Sequence, residues 1–363
     1  MSARAEILHR SRWQGVFYVT GGGTLLLSEL LTTAGASATV LEARVPYAAA
    51  ALEEILGRPP EQACSDATAR AMAMAAFQRA RRLSAGRHTA SAFGLACTAS
   101  LATTREKRGR HRAHVAVQTA ASTYGAHLDF RGEREAQERQ LLELLWHALA
   151  EALNLELPVT PPGSPMVAHT TAQGHWRDLI LGEEAAYATA PHDGRLLMPG
   201  AFNPLHHAHE GMLAIAEQKT GLPGAFELSI VNVDKPFLDY TEIDLRLRQF
   251  TRPVWVTRLP TFLEKARRFR GAHFAVGIDT LIRIVDPGYY GSLTARDRAL
   301  AELAELDTRF VVFGRTLEEG FLGLSDVALP SLFRELCIEV SKAEFDDPVS
   351  STALRRGATD TRG

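Results

Sequence analysis

Short apolar runs rich in β-branched residues alternate with amphipathic helical stretches along most of this chain, and one proline-rich stretch interrupts them. That pattern restricts the chain to α/β architectures, because strands separated by helices pair most simply in a sheet covered on both faces. GVFYVT (15–20) runs into Gly21, Gly22 and Gly23, and apolar residues then recur at helical spacing through Leu31. SDATARAMAMAAFQRARRL (65–83) reads as a helix with a Ser or Asp cap and a basic last turn that suits the helix dipole. AFGLACTAS (92–100) and HVAVQTA (114–120) read as strands, and REAQERQLLELLWHALAEALNL (134–155) as an amphipathic helix that closes the unit. Residues 157–174 hold four prolines and no apolar period, which predicts a linker. Beyond it the alternation resumes with RLLMPG, a helix from about His209, FELSIVNV, TFLEKARRFR, HFAVGID, RFVVFGR and CIEV, which predicts a parallel sheet. At 363 residues the chain fits two domains, expected at 1–156 and 191–363 with 157–190 connecting them.

Composition excludes several classes. Forty basic against 42 acidic residues leave a net charge of −2, which argues against a general nucleic-acid or membrane-surface binder. No apolar run approaches the roughly 18 residues of a membrane span. The start, MSARAEILHRSRW, has no apolar leader, so a cytoplasmic location is expected. Cys64, Cys97 and Cys337 are scattered without metal spacing, as expected of buried thiols in a reducing compartment.

The chemistry concentrates in MPGAFNPLHHAHEGM (198–212), where a strand ends at Gly200 and His206 and His209 sit three apart at the start of a helix. Residues at that spacing share a helix face, and a helix N-terminus attracts anions, so two imidazoles there can grip a polyphosphate. A lone His-x-x-His is more often a polar turn with surface histidines. A second segment, CIEVSKAEFDDPVSSTALRRG (337–357), places Ser350, Ser351 and Thr352 at a helix start, with Arg355 one turn in and able to fork onto the same anion. By itself that pattern is as often a capped helix with a surface arginine.

Together, GAFNPLHHAH and VSSTALR resemble the nicotinamide/nicotinate mononucleotide adenylyltransferases of the nucleotidylyltransferase superfamily, which pair G-x-F-x-P-x-H-x-G-H with I-S-S-T-x-x-R in that order. The resemblance covers about residues 195–357 and implies a Rossmann-like domain with a parallel sheet. It also implies in-line attack by an acceptor phosphate on the α-phosphorus of ATP, with pyrophosphate leaving and Mg²⁺ bridging phosphates. On this resemblance His206, His209 and Arg355 are catalytic, and Gly200, Ala201, Phe202, Ser350, Ser351 and Thr352 hold ATP. VGID (276–279) and NVDKP (232–236) would place Asp279 and Lys235 beside the substrates. Each has an alternative reading as ordinary strand-end polarity. The family's glycine between the histidines is Ala208 here, which puts a methyl group where the backbone lies nearest ATP.

The amino-terminal part resembles the CinA C-terminal domain, whose active members hydrolyse the amide of nicotinamide mononucleotide. The matching pieces are TGGGTLLLSELLTTAGAS (20–37), VPYAAAALEEILG (45–57), CSDATARAMA (64–73) and FRGER (130–134). The family's nucleophilic serine falls on Tyr18 and its lysine on Leu52, although Tyr47 is kept, so no amidase is expected. A ligand pocket built on Thr20, Gly21, Gly22, Gly23 and Tyr47 remains an expectation, with the three glycines as an anion-binding nest. TTREKRGRHRAH (103–114) would add Arg105 and Arg112; its bland reading is a solvated basic loop.

The expected fold class is therefore α/β in two domains, a CinA C-terminal-like α/β domain followed by a Rossmann-like nucleotidylyltransferase domain. The expected function is ATP-dependent adenylyl transfer to a phosphorylated small molecule, a pyridine mononucleotide, with a homo-oligomer compatible. The alternative is a non-catalytic nucleotide-binding or sensor protein. Ala208 and the lost amidase residues favour the alternative, and the His206, His209 and Arg355 set favours the enzyme.

Overall fold

The computed structural model describes residues 2–84, 89–104, 109–160, 162–232, 236–317 and 320–347. The chain divides into two compact units, Met1–Glu183 with Asp234–Ile243, and Glu184–Val233 with Asp244–Gly363.

The first unit runs α1 (Ala3–Arg10), β1 (Gln14–Thr20), α2 (Thr24–Thr32), β2 (Val40–Arg44), α3 (Ala49–Leu56), α4 (Asp66–Leu83), β3 (Ala92–Ser100), β4 (Arg112–Thr119), β5 (Ser122–Asp129), α5 (Arg134–Leu153), β6 (Met166–Thr171) and α6 (Gly174–Leu181). Its six strands lie in the order β2-β1-β3-β4-β5-β6. β1 is parallel to β2 and β3, and every pair from β3 to β6 is antiparallel. The sheet is mixed because helical crossovers join β1, β2 and β3, whereas only Ala120 and Ala121 separate β4 from β5.

α4 forms as its sequence predicts. The Ser65 hydroxyl accepts the Thr68 N–H at 3.2 Å, capping the first turn. The helix lies close on β3 because Gly94 has no side chain: a Cβ there would sit 2.2 Å from the Ala73 carbonyl oxygen and the Phe77 nitrogen. Ala69, Met72, Ala73, Ala76, Phe77 and Ala80 are buried. A separate core cluster holds Phe17, Phe93, Val115, Leu141, Leu145 and Trp146.

The segment expected to be a linker is instead structured. Met166–Thr171 pairs with β5 as the sheet edge, and α6 follows, its last carbonyls at Ile180 and Leu181 accepting from Arg81 of α4 at 2.8 Å each. The prolines lie before the strand, where no ladder hydrogen bond is lost. Residues 236–243 also belong to this unit. The Tyr240 hydroxyl donates to the Ala120 carbonyl at 2.8 Å, and Asp239 and Arg70, both buried, pair at 2.5 Å.

The second unit comprises β7 (Ala186–Ala188), β8 (Leu196–Pro199), α7 (His207–Thr220), β9 (Ala225–Ser229), the end of α8 (Tyr240–Leu247), β10 (Val254–Thr257), α9 (Phe262–Arg268), β11 (His273–Gly277), α10 (Ile278–Val285), α11 (Leu293–Glu305), β12 (Arg309–Phe313), the small hairpin β13 (Arg315–Leu317) and β14 (Gly320–Leu322), α12 (Ser331–Arg334) and β15 (Cys337–Val340). The seven-stranded sheet has the order β15-β12-β11-β8-β9-β10-β7. All neighbours are parallel except the edge strand β7, which is antiparallel to β10. From β8 the chain moves outward through β9 and β10, then returns to β11 on the other side of β8. Such a reversal of winding opens a crevice at the carboxyl ends of the strands, where ligands of open α/β sheets collect.

Arg70 also pairs with Asp66 and Glu242, but Asp239 is buried with Arg70 as its cation, so Arg70→Ala leaves a buried carboxylate uncompensated and should cost about 3 kcal/mol or more. Ser65→Ala, which loses only a helix cap, should cost about 1 kcal/mol. Chemical unfolding of the full chain, followed by circular dichroism, checks the order of the two.

Candidate functional site

The loop leaving β8 enters that crevice, and its path is fixed by packing. Phe202, at 1% exposure, holds a positive φ of 45° and turns its ring back toward Gly200, where a Cβ would lie 2.5 Å from the ring. The ring packs edge-on against Phe226, Phe250 and His209 at 5.2, 5.1 and 5.1 Å between centroids. Gln249 fastens the loop from the far side: its Oε1 accepts the Leu205 N–H at 2.9 Å and its Nε2 donates to the Phe202 carbonyl at 3.2 Å. Arg246 donates to the Ala201 carbonyl at 2.8 Å. Gln249 escapes sequence reasoning because it lies 44 residues from Leu205 and belongs to no motif.

The loop delivers His206 to the N-cap of α7 and His209 to its third position. The His206 backbone N–H donates to His209 Nδ1 at 3.2 Å, and the two rings stack with centroids 3.7 Å apart. Accepting at Nδ1 leaves the neutral ring's proton on Nε2, so His209 presents an N–H donor. Burial, and then the neighbouring His206, push the His209 pKa down to about 4. Burial also lowers that of His206, reinforced by His207, while Asp347 opposes the shift. Both rings are therefore neutral hydrogen-bonding groups near pH 7, not the cations that a phosphate grip first suggests. His206 Nδ1 is buried and has no hydrogen-bond partner among the described residues. Ala208 is 4% exposed, so its methyl group is packed inside the protein.

The neighbouring strand ends bring further polar groups to the same edge of the sheet. Asp279, in the first turn of α10 after β11, pairs with Arg315 just beyond β12 at 2.5 Å. Beneath the edge, Glu227 of β9 is 1% exposed, bonded to Lys265 at 2.9 Å and to the Thr257 hydroxyl, and its carbonyl accepts the Gly200 N–H at 3.0 Å. Lys235, Ser350, Ser351, Thr352 and Arg355 lie outside the described residues, as does Arg105 of the first unit.

In the first unit several of the residues expected to form a ligand pocket contact other parts of the chain. The Tyr18 phenol, 4% exposed, donates to Glu42 Oε1 at 3.3 Å. Glu42 also binds Arg44 at 2.9 Å and Arg79 at 2.8 Å. Burial, and then Glu42, raise the Tyr18 pKa, so the phenol keeps its proton. Leu52 is buried, while Tyr47 is 67% exposed. In the glycine turn one N–H is already taken by a carboxylate of the chain. Gly21 and Gly23 take positive φ angles of 78° and 90°, and the Gly23 N–H donates to Glu138 Oε2 at 2.9 Å. The Thr20 hydroxyl donates to the Pro46 carbonyl at 2.9 Å, and a Cβ on Gly22 would lie 2.6 Å from Leu101. Arg112 opens strand β4 rather than lying in a loop, and its guanidinium reaches the Cys64 carbonyl at 3.4 Å.

No family model and no curated protein matches the chain. Among solved structures, a competence-damaged protein (CinA) superfamily protein from Escherichia coli is 20% identical, with 42% of this chain and 86% of that one covered and a TM-score of 0.33. A CinA superfamily protein from Klebsiella pneumoniae is 18% identical over 41% and 92% of the chains, with a TM-score of 0.34. The competence/damage inducible protein from Agrobacterium tumefaciens is 22% identical over 42% and 96%, with a TM-score of 0.32. Likenesses at this level establish neither activity nor ligand. No helix among the described residues is long and apolar enough to cross a membrane.

The His209 assignment is testable by pH. With a folded pKa of about 4 against an ordinary 6.5, the folded chain binds fewer protons than the unfolded one between those values. Stability should therefore fall as pH drops from 6.5 toward 4, and part of that fall should vanish in His209→Gln. Histidine side-chain NMR on the full chain should place the His209 midpoint about two units below that of an exposed histidine.

Proposed function

We propose that this chain is a nucleotide-binding protein whose second unit holds the phosphates of an adenine nucleotide beside the β8–α7 loop. The observation that carries the reading is the His206 N–H bonded to His209 Nδ1 at the N-cap of α7, which leaves a donor on the second ring. A helix start beside a winding reversal supplies backbone N–H groups and dipole to an anion, and the neutral imidazoles add hydrogen bonds without a like-charge cost. Asp279 and Arg315, at the neighbouring strand ends, are suited to the sugar or phosphates of the same ligand. The occupied glycine turn and the Tyr18–Glu42 contact favour binding without amide hydrolysis in the first unit.

A second reading, catalysis, draws on the matched motifs. An oxygen of the acceptor phosphate, expected on a pyridine mononucleotide (nicotinamide or nicotinate mononucleotide), attacks the α-phosphorus of ATP. The bond to the β-phosphate breaks, and pyrophosphate departs. His206 and His209 would donate to oxygens gaining charge, and Arg355 with Ser350, Ser351 and Thr352 would hold the terminal phosphates. Among the described residues no three His, Cys, Asp or Glu side chains gather to hold a metal ion. In this reading Mg²⁺ arrives with ATP as part of the substrate.

Calorimetry and a pyrophosphate assay separate the readings. Binding alone should give heat with ATP and no pyrophosphate with either mononucleotide. Catalysis should give pyrophosphate, and His209→Ala should then lower turnover about 100-fold, some 3 kcal/mol, with a smaller loss of ATP affinity. Absence of ATP or AMP binding to the full chain would refute both. The first unit should release no ammonia from nicotinamide mononucleotide, and Tyr18→Phe should change nothing.

A further inference from the structure

The first unit contains a pair of histidines that none of these readings uses. His114 of β4 and His127 of β5 are direct cross-strand partners, and Thr98 of β3 stands opposite His114. Directly opposed residues share a sheet face. Gly94, two pairs of positions before Thr98 on β3, shows that α4 covers this face. The two imidazoles lie 4.4 Å apart between centroids and are tilted by 33°.

Their nitrogens are arranged unusually. The Nδ1 atoms of both rings are buried, and neither has a hydrogen-bond partner among the described residues. His127 Nε2 lies 3.3 Å from Asp129 Oδ1. A carboxylate only accepts, so Asp129 holds the His127 proton on Nε2 and leaves a lone pair on Nδ1. Metal-bound imidazoles are oriented in this way, one nitrogen on a carboxylate and the other on the ion.

We propose that His114 and His127 form a binding site for a divalent transition-metal ion of the Cu²⁺, Ni²⁺ or Zn²⁺ class, bound through the two Nδ1 atoms. Imidazole suits these ions. Two nitrogens bound to one ion at about 2.0–2.1 Å sit roughly 3–3.5 Å apart, which is the spacing the two Nδ1 atoms must take up when the ion binds. Burial, and then His127, lower the His114 pKa to about 4, so the ring is a neutral ligand near pH 7. Asp66 from α4 and Asp129 from β5 place negative charge near His114, while Arg112 on its own strand opposes a cation. Asp66 is paired with Arg70 at 2.7 Å and Asp129 with Arg110 at 3.3 Å, which tempers their pull. The His127 side chain is 20% exposed, which gives solvent a route to the pair. No third side chain converges on the pair among the described residues, so the remaining positions would fall to water admitted past the part-exposed His127 ring as the ion binds.

Titrating the full chain with CuCl₂ tests this, read by electron paramagnetic resonance and equilibrium dialysis. The expected result is one tight equivalent whose spectrum shows nitrogen ligation. That equivalent should be lost in His114→Ala and His127→Ala and kept in His206→Ala and His209→Ala. Asp129→Asn should weaken it about 10- to 100-fold, since the carboxylate only orients the ligand. Should either alanine variant misfold by circular dichroism, His127→Gln, closer in size and still polar, takes its place. Binding that survives loss of both His114 and His127, or that disappears with His209→Ala alone, would overturn the proposal. So would a wild-type chain that takes up no copper at micromolar concentrations.

Discussion

Phe202 turned back on Gly200 is the constraint around which the second unit's candidate site is arranged. The ring occupies the space a Cβ would need, so residue 200 must be glycine, and the buried ring in turn holds Phe202 at a positive φ. A non-glycine residue in that conformation is tolerated only when surrounding packing over-determines it, and here Phe226, Phe250 and His209 do so. The bend sends the chain into α7 with His206 at its cap. Gln249 then fixes the loop's remaining freedom through Leu205 and Phe202.

The same packing sets the electrostatics. Burial strips water from both histidines, and His207 beside His206 and His206 beside His209 add to the cost of a charge, so both rings are uncharged near neutral pH. A site of neutral donors at a helix start attracts phosphate through oriented dipoles. Net cationic charge, if the site has it, must come from arginine or lysine at neighbouring strand ends, of which Arg315 is described and already paired with Asp279.

The first unit shows how thoroughly a polar site can be internalised. Where a glycine turn could receive an anion, Glu138 from α5 supplies one from within the chain. Where a nucleophile would stand, Tyr18 is tied to Glu42, which two arginines hold in place. These contacts satisfy buried polar groups that would otherwise be costly, whereas both Nδ1 atoms of the His114–His127 pair stay without a partner among the described residues.

The sequence by itself determined the elements whose signals are local. Ser65 before an alanine-rich period specified α4, alternating and apolar runs specified β1, β3, β4 and β8, and two histidines three apart after a strand located the entry to α7. Only the tertiary structure decided what depends on distant partners. β6 hides in a proline-rich stretch because an edge strand needs just one neighbour, and β5 provided it. The direction of β3 through β6 follows from connection length and pairing, which periodicity does not encode. Residues 236–243 join the first unit because Arg70, far away in sequence, offers Asp239 a buried partner. The charge state of His209, the filling of the glycine turn by Glu138 and the role of Gln249 were likewise invisible, since burial and hydrogen bonding between residues remote in the chain exist only once the chain has folded.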